Sequence, residues 1–77
     1  MDNEQRAERA YNILNDNLFK EALSVVKEYH MERMLAESAG KKEVLEARRM
    51  VLALEAVTSQ LEGVILTGEM EKGRHRE

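Results

Sequence analysis

Ten side chains between Val44 and Ile65 repeat at a spacing that only a helix can gather onto one face. Val44, Ala47, Val51, Leu54, Thr58, Leu61 and Ile65 follow at alternating steps of three and four, and Met50, Val57 and Val64 recur every seven residues beside them. On a helix they form one continuous stripe about a third of the circumference wide. Such a stripe needs other helices to cover it. The chain contains no proline, so only glycine and short polar clusters can end a helix here.

The punctuation follows from those residues. Asp2 or Asn3 can cap a first helix, with Glu4 favourable at its positive end. Ala7, Ala10, Tyr11 and Leu14 share one face of it, broadened by Ile13. Asn15-Asp16-Asn17 interrupts, because these side chains bond to nearby backbone and favour turns and caps. Asp16 is the expected N-cap of a second helix, in which Phe19, Leu23, Val26 and His30 or Met34 form one stripe. Leu18, Ala22, Val25 and Tyr29 form an adjacent one, as in a helix that touches neighbours on two sides. Ser38-Ala39-Gly40 supplies the next break, with Gly40 suited to the left-handed conformation that ends helices. A third helix ends at Thr67-Gly68, with Gly68 as its C-cap.

The reading is all-α: helices over residues 3–14, 17–37 and 41–66 in one domain of residues 1–68, followed by a flexible charged tail, 69–77. Short breaks make consecutive helices antiparallel. The second and third form a hairpin, and the first folds beside it or across its end. A core of this size roughly breaks even against chain entropy. With no cysteine to form disulfides, self-association is the expected remedy. The packing and oligomer face is assigned to Val44, Ala47, Met50, Val51, Leu54, Val57, Leu61, Val64 and Ile65 with Phe19, Leu23 and Val26. A second row, Leu45, Leu52 and Leu66, exceeds what two helices can cover, and with the adaptable Met31 and Met34 it is the candidate partner surface.

No motif in the sequence carries chemistry. Gly40, Gly63, Gly68 and Gly73 make no phosphate loop. Neither His30 nor His75 carries the Glu three residues earlier that a di-metal bundle site requires; Lys27 and Lys72 stand there instead. His30 reads as a packed or interface histidine with a backbone or carboxylate partner, and the pairs Glu28/Glu32, Glu43/Glu46 and Glu55/Glu62 as solvated helix faces. No catalytic residue, metal ligand or cofactor is assigned, and the chain is read as a non-enzyme. A net charge of −3 argues against a protein that coats nucleic acid. Lys72, Arg74 and Arg76 form the one candidate basic contact besides Lys41-Lys42 and Arg48-Arg49. The polar, acidic start and the Glu and Arg residues along the longest helix are read as a cytoplasmic chain with no membrane span.

Arg6-Ala7-x-x-Ala10 leading to Ile13-Leu14-x-Asp16-x-Leu18-Phe19-x-Glu21-Ala22 resembles the opening of short helical proteins encoded by tailed bacteriophages. Val57 and Leu61, then Ile65-x-Thr67-Gly68-Glu69, resemble their ending. The pattern spans residues 6–69 and departs at Asn17, where a proline often follows the aspartate. The resemblance implies a phage or prophage origin and an accessory or assembly role, with no activity to carry over. The functions that follow are a helical interaction protein, acting as a homo-oligomer or on a phage or host assembly; a small nucleic-acid-packaging factor; or an inhibitor of a host enzyme.

Overall fold

The computed structural model describes residues 1–75. They form three helices: α1, Asn3–Leu14; α2, Asn17–Leu35; and α3, Lys41–His75. Among the described residues there is no strand.

Local chemistry sets the first two starts. Asp2 closes a reciprocal cap: its carboxylate accepts from the Gln5 N–H at 2.8 Å, and its own N–H donates to Gln5 Oε1 at 3.2 Å. Asn15 ends α1 and spends its side chain on the Tyr11 carbonyl at 2.8 Å. Asp16 turns extended and accepts from the Phe19 N–H at 2.8 Å, opening α2.

The long helix is α3, 35 residues or about 52 Å, and α1 and α2 lie end to end along it, both antiparallel. Asn3 Nδ2 donates to Glu71 Oε1 at 2.7 Å near the C-terminal end of α3. Arg33 meets Glu43 at 3.6 Å near its N-terminal end. The 12 residues of α1 and 19 of α2, with Asn15 and Asp16 between, match the length of α3. The hairpin expected of α2 and α3 is therefore present, but α1 lies neither beside it nor across its end. It extends the same arm and packs on α3 more extensively than the longer α2 does, touching α2 only near their junction.

Three boundaries differ from the sequence reading, each for a physical reason. The third helix does not stop at residue 66 and residues 69–75 are not a loose tail: α3 runs on to His75. Gly68 is no C-cap. It is buried in mid-helix without a positive φ, because α1 crosses there; a Cβ on Gly68 would strike the Ala7 Cβ and come within 2.7 Å of the Asn3 carbonyl oxygen. Gly40 also lacks a positive φ. Its carbonyl accepts from the Val44 N–H at 3.0 Å, so it opens α3 instead of ending α2. The second helix stops at Leu35, not residue 37: Ala36 turns extended and its carbonyl accepts from the Ala39 N–H at 3.0 Å.

The molecule measures 58 × 23 × 17 Å, little more than two helices across, each about 10–12 Å in diameter. A slab so thin has almost no interior. Among the described residues only Ala10, Ala47, Gly68 and His30 are buried, and no large side chain is fully enclosed. The seam itself matches the predicted stripe: Val44, Val51, Leu54, Thr58, Leu61 and Ile65 are half-buried around Ala47, facing half-buried Leu14, Phe19, Leu23 and Met34. The Thr58 hydroxyl sits there without cost, since it donates to the Leu54 carbonyl at 3.4 Å.

Candidate functional site

Two ion pairs fix which side of α2 lies beside which side of α3. Lys27 Nζ stands 3.4 Å from Glu55 Oε1, and Arg33 Nε stands 3.6 Å from Glu43 Oε1. Six residues advance a helix by about 600°, so Lys27 and Arg33 project from opposite flanks of α2, and Glu55 and Glu43 likewise from opposite flanks of α3. The hairpin thus has a Lys27/Glu55 flank and an Arg33/Glu43 flank.

The two flanks differ in chemistry. Every seventh residue of α3 on the Lys27/Glu55 side is charged: Arg48, Glu55, Glu62 and Glu69. Near the α1 end this side forms a groove of about 380 Å³ between Glu4, Glu8 and Tyr11 of α1 and Glu69 and Lys72 of α3. On the Arg33/Glu43 side the same register reads Glu43, Met50, Val57, Val64 and Glu71. Opposite these, α2 presents Leu18, Ala22, Val25, Val26 and Tyr29, and α1 presents Ile13, which shares a groove with Leu61 and Val64. Ile13, Leu18, Val25, Val26, Tyr29, Met50 and Val57 are each between 41% and 73% exposed. They make one apolar strip on one side of the slab. Among the described residues no element covers it.

The Leu18/Ala22/Val25/Tyr29 row was expected to meet a second neighbour. Among the described residues it has none, because α1 continues the line of α2 instead of lying beside it. The signal for this strip was in the sequence as that second stripe; which part of α3 it would join was not.

The residues assigned to the packing and oligomer face separate into two sets. Val44, Ala47, Val51, Leu54, Leu61, Ile65, Phe19 and Leu23 line the internal seam, with Val64 half-buried at its edge. Met50, Val57 and Val26 belong to the open strip. Leu45, Leu52 and Leu66 are exposed on the back of α3, and Met31 is exposed on α2, whereas Met34 turns half-buried into the seam. The uncovered residues of that assignment therefore lie on the strip, on the back of α3 and at Met31 of α2, and the strip on the Arg33/Glu43 flank holds the most apolar side chains. Of the basic contact, Lys72 is exposed beside Glu4 and Glu8; the side chains of Arg74 and Arg76 lie outside the described residues.

Among the described residues His30 is the one buried titratable side chain, 8% exposed. Its Nδ1 lies 3.2 Å from the Arg33 guanidinium, and Tyr29 meets its ring edge-on at 5.1 Å. Arginine can only donate, so Nδ1 offers its lone pair and the ring proton sits on Nε2. The partner is a guanidinium, where a backbone group or carboxylate was expected. Arg33 binds Glu43 and His30 together and lies 5.8 Å from the Tyr29 ring centre, anchoring one end of the strip. Among the described residues no three His, Cys, Asp or Glu side chains are placed to hold a metal ion.

Helix α3 is apolar as well as long. It contains an 18-residue stretch of mean hydropathy 1.4 with no more than two charged residues, long and apolar enough to cross a membrane by length and composition, and only 6% of it is buried. The heptad face, the back row and the open strip all fall within one helix, which raises the average. Comparison of the chain with protein-family models, curated proteins and solved structures gives no match.

Proposed function

We propose that this protein is a non-enzymatic helical interaction module, whose working surface is the apolar strip along the Arg33/Glu43 flank. It acts as an oligomer or as a subunit docked on a larger assembly. The observation that carries the reading is the exposed area. The chain leaves 6,235 Å² accessible to solvent, whereas a compact monomer of 8.9 kDa exposes about 4,800 Å². A contiguous strip of Leu, Val, Ile, Met and Tyr on a water-exposed face marks a contact site.

A protein partner fits the strip better than a bilayer. Glu55 and Glu62 lie within the apolar span of α3, and Glu55 pairs with Lys27. A charged side chain at a bilayer centre costs about 2.5–3.5 kcal/mol. The likeness of residues 6–69 to short phage-encoded helical proteins favours an accessory or assembly role in a phage, or the capture of one host enzyme, through the same strip. The test is the size of the native protein in lysate of cells producing it. Migration as a species well above 8.9 kDa, lost when Tyr29 and Val57 are changed to Asp, supports the reading. A free monomer at every concentration, unchanged by those substitutions, overturns it.

A further inference from the structure

Helix α2 carries two apolar stripes, and the covered one shows what the open one requires. We infer that the open stripe receives an amphipathic helix of another protein, whose apolar face is edged with lysine or arginine; the inference rests on the interaction-module reading above.

The charges of α2 are sorted by sign. Its bases are Lys20, Lys27 and Arg33, and its acids are Glu21, Glu28 and Glu32. Lys20 and Lys27, seven residues apart, lie on one line along the helix. They edge the stripe of Phe19, Leu23, His30 and Met34 that faces α3, and Arg33 stands on its other edge. The helix covering this stripe answers with carboxylates. Glu55 stands 3.4 Å from Lys27, and Glu43 stands 3.6 Å from Arg33.

The open stripe, Leu18, Ala22, Val25 and Tyr29, has the opposite edge. Glu21 lies three residues after Leu18 and four before Val25, Glu28 three after Val25, and Glu32 three after Tyr29. Each acid is thus one helical turn from a stripe residue. All three are exposed, and neither ion pair among the described residues uses them. No base of α2 stands among them. The rest of the strip's border is mixed. On α3, Lys42 and Arg49 stand with Glu46 between them; at the far end are Arg6 and Arg9 of α1 and Glu71 of α3, the last bonded to Asn3. Only the outer edge of α2 is of one sign over its whole length.

The internal seam therefore supplies the rule. A stripe of α2 edged by one charge is covered by a helix edged with the other. On the open stripe that helix needs bases at seven-residue intervals, in register with Glu21 and Glu28. An amphipathic helix laid in an apolar groove is a recurring mode of recognition, and Met50 in this strip can adapt to its side chains. The same acids repel anionic lipid and nucleic-acid phosphates.

The test is fluorescence anisotropy of the full chain with two labelled synthetic helical peptides of about 18 residues. They share one leucine face; one carries lysine at every seventh residue along an edge of it, the other glutamate. The lysine peptide should bind about tenfold tighter or more, as three exposed ion pairs together provide, and should lose that advantage at about 1 M salt. Changing Glu21→Lys, Glu28→Lys and Glu32→Lys together should reverse the preference, while Glu62→Lys, on the Lys27/Glu55 flank, should leave it in place. If circular dichroism shows the triple variant unfolded, Glu28→Lys alone should cut the preference about threefold. Equal binding of the two peptides, or no binding of either up to about 100 μM, overturns the inference. A large lysate species abolished by Tyr29→Asp and Val57→Asp would then leave the interaction-module reading standing. A preference removed by Glu62→Lys and not by reversing the α2 acids overturns the assignment of the edge. A wild type that sediments as an oligomer, and as a monomer after the α2 acids are reversed, overturns the foreign partner, because a second copy then fills the stripe.

Discussion

Gly68 and Gly63 stand on the same helix, yet alanine should move them in opposite directions. Helix propensity alone favours alanine over glycine by about 0.8–1.0 kcal/mol. At Gly63 an added Cβ meets nothing within 4 Å, so that gain is realised in full. A domain of this size converts each kcal/mol into about 4–8 °C of melting temperature. At Gly68 the same Cβ would come within 2.7 Å of the Asn3 carbonyl oxygen and collide with the Ala7 Cβ. Backbone is involved, so α1 must retreat by several tenths of an ångström. Overpacking of that kind costs about 1–3 kcal/mol, which cancels or exceeds the propensity gain. Retreat also pulls Asn3 from Glu71. The 12 residues of α1 are too few for an isolated helix to persist in water, so a displaced α1 melts. Thermal unfolding followed at 222 nm, at one fixed protein concentration, reads both effects. Gly63→Ala should melt about 4–8 °C above wild type. Gly68→Ala should melt at or below wild type and lose helicity and amide protection confined to α1. Equal stabilisation by both changes would mean that α1 does not cross α3 at Gly68, and the end-to-end arm would have to be abandoned.

Three further outcomes follow from named contacts. Asp16→Ala removes the acceptor for the Phe19 N–H and should destabilise by about 1 kcal/mol, with Asp16→Ser recovering most of it; chemical denaturation at constant slope measures both. Ala47→Leu enlarges a wholly enclosed seam position and should cost about 1–3 kcal/mol through overpacking, seen as a lower denaturation midpoint; a neutral result would show room at the seam that the structure lacks. Labelled duplex DNA at low salt should show no mobility shift with micromolar protein, because the net charge is −3 and the Arg48 register on α3 is otherwise acidic; a salt-sensitive shift would revive the nucleic-acid reading.

The parts of this fold that were legible in the sequence are those whose cause is local. Asp2 and Asp16 cap the backbone a few residues ahead of themselves, and the Val44-to-Ile65 stripe is a periodicity within one element. The ends of α1 and the seam face of α3 followed from them. Gly68 was misread because glycine has two uses. It can turn a helix off, or it can let another backbone approach, and the second depends on Ala7 and Asn3, some sixty residues away along the chain. Gly40 posed the same choice and opens a helix instead of closing one. The apolar strip was half legible. The Leu18/Ala22/Val25/Tyr29 row showed that α2 has more apolar surface than one neighbour uses. Which flank of α3 lies beside that row depends on the Lys27–Glu55 and Arg33–Glu43 pairings. Those are tertiary facts, because each lysine or arginine had several carboxylates at suitable spacing.

The central claim is that the apolar strip on the Arg33/Glu43 flank is a contact surface. The size of the native protein in lysate of cells producing it, with and without Tyr29→Asp and Val57→Asp, tests it most directly. The account predicts a species well above 8.9 kDa that those substitutions abolish. A free species of 8.9 kDa at every concentration, unchanged by them, would contradict it.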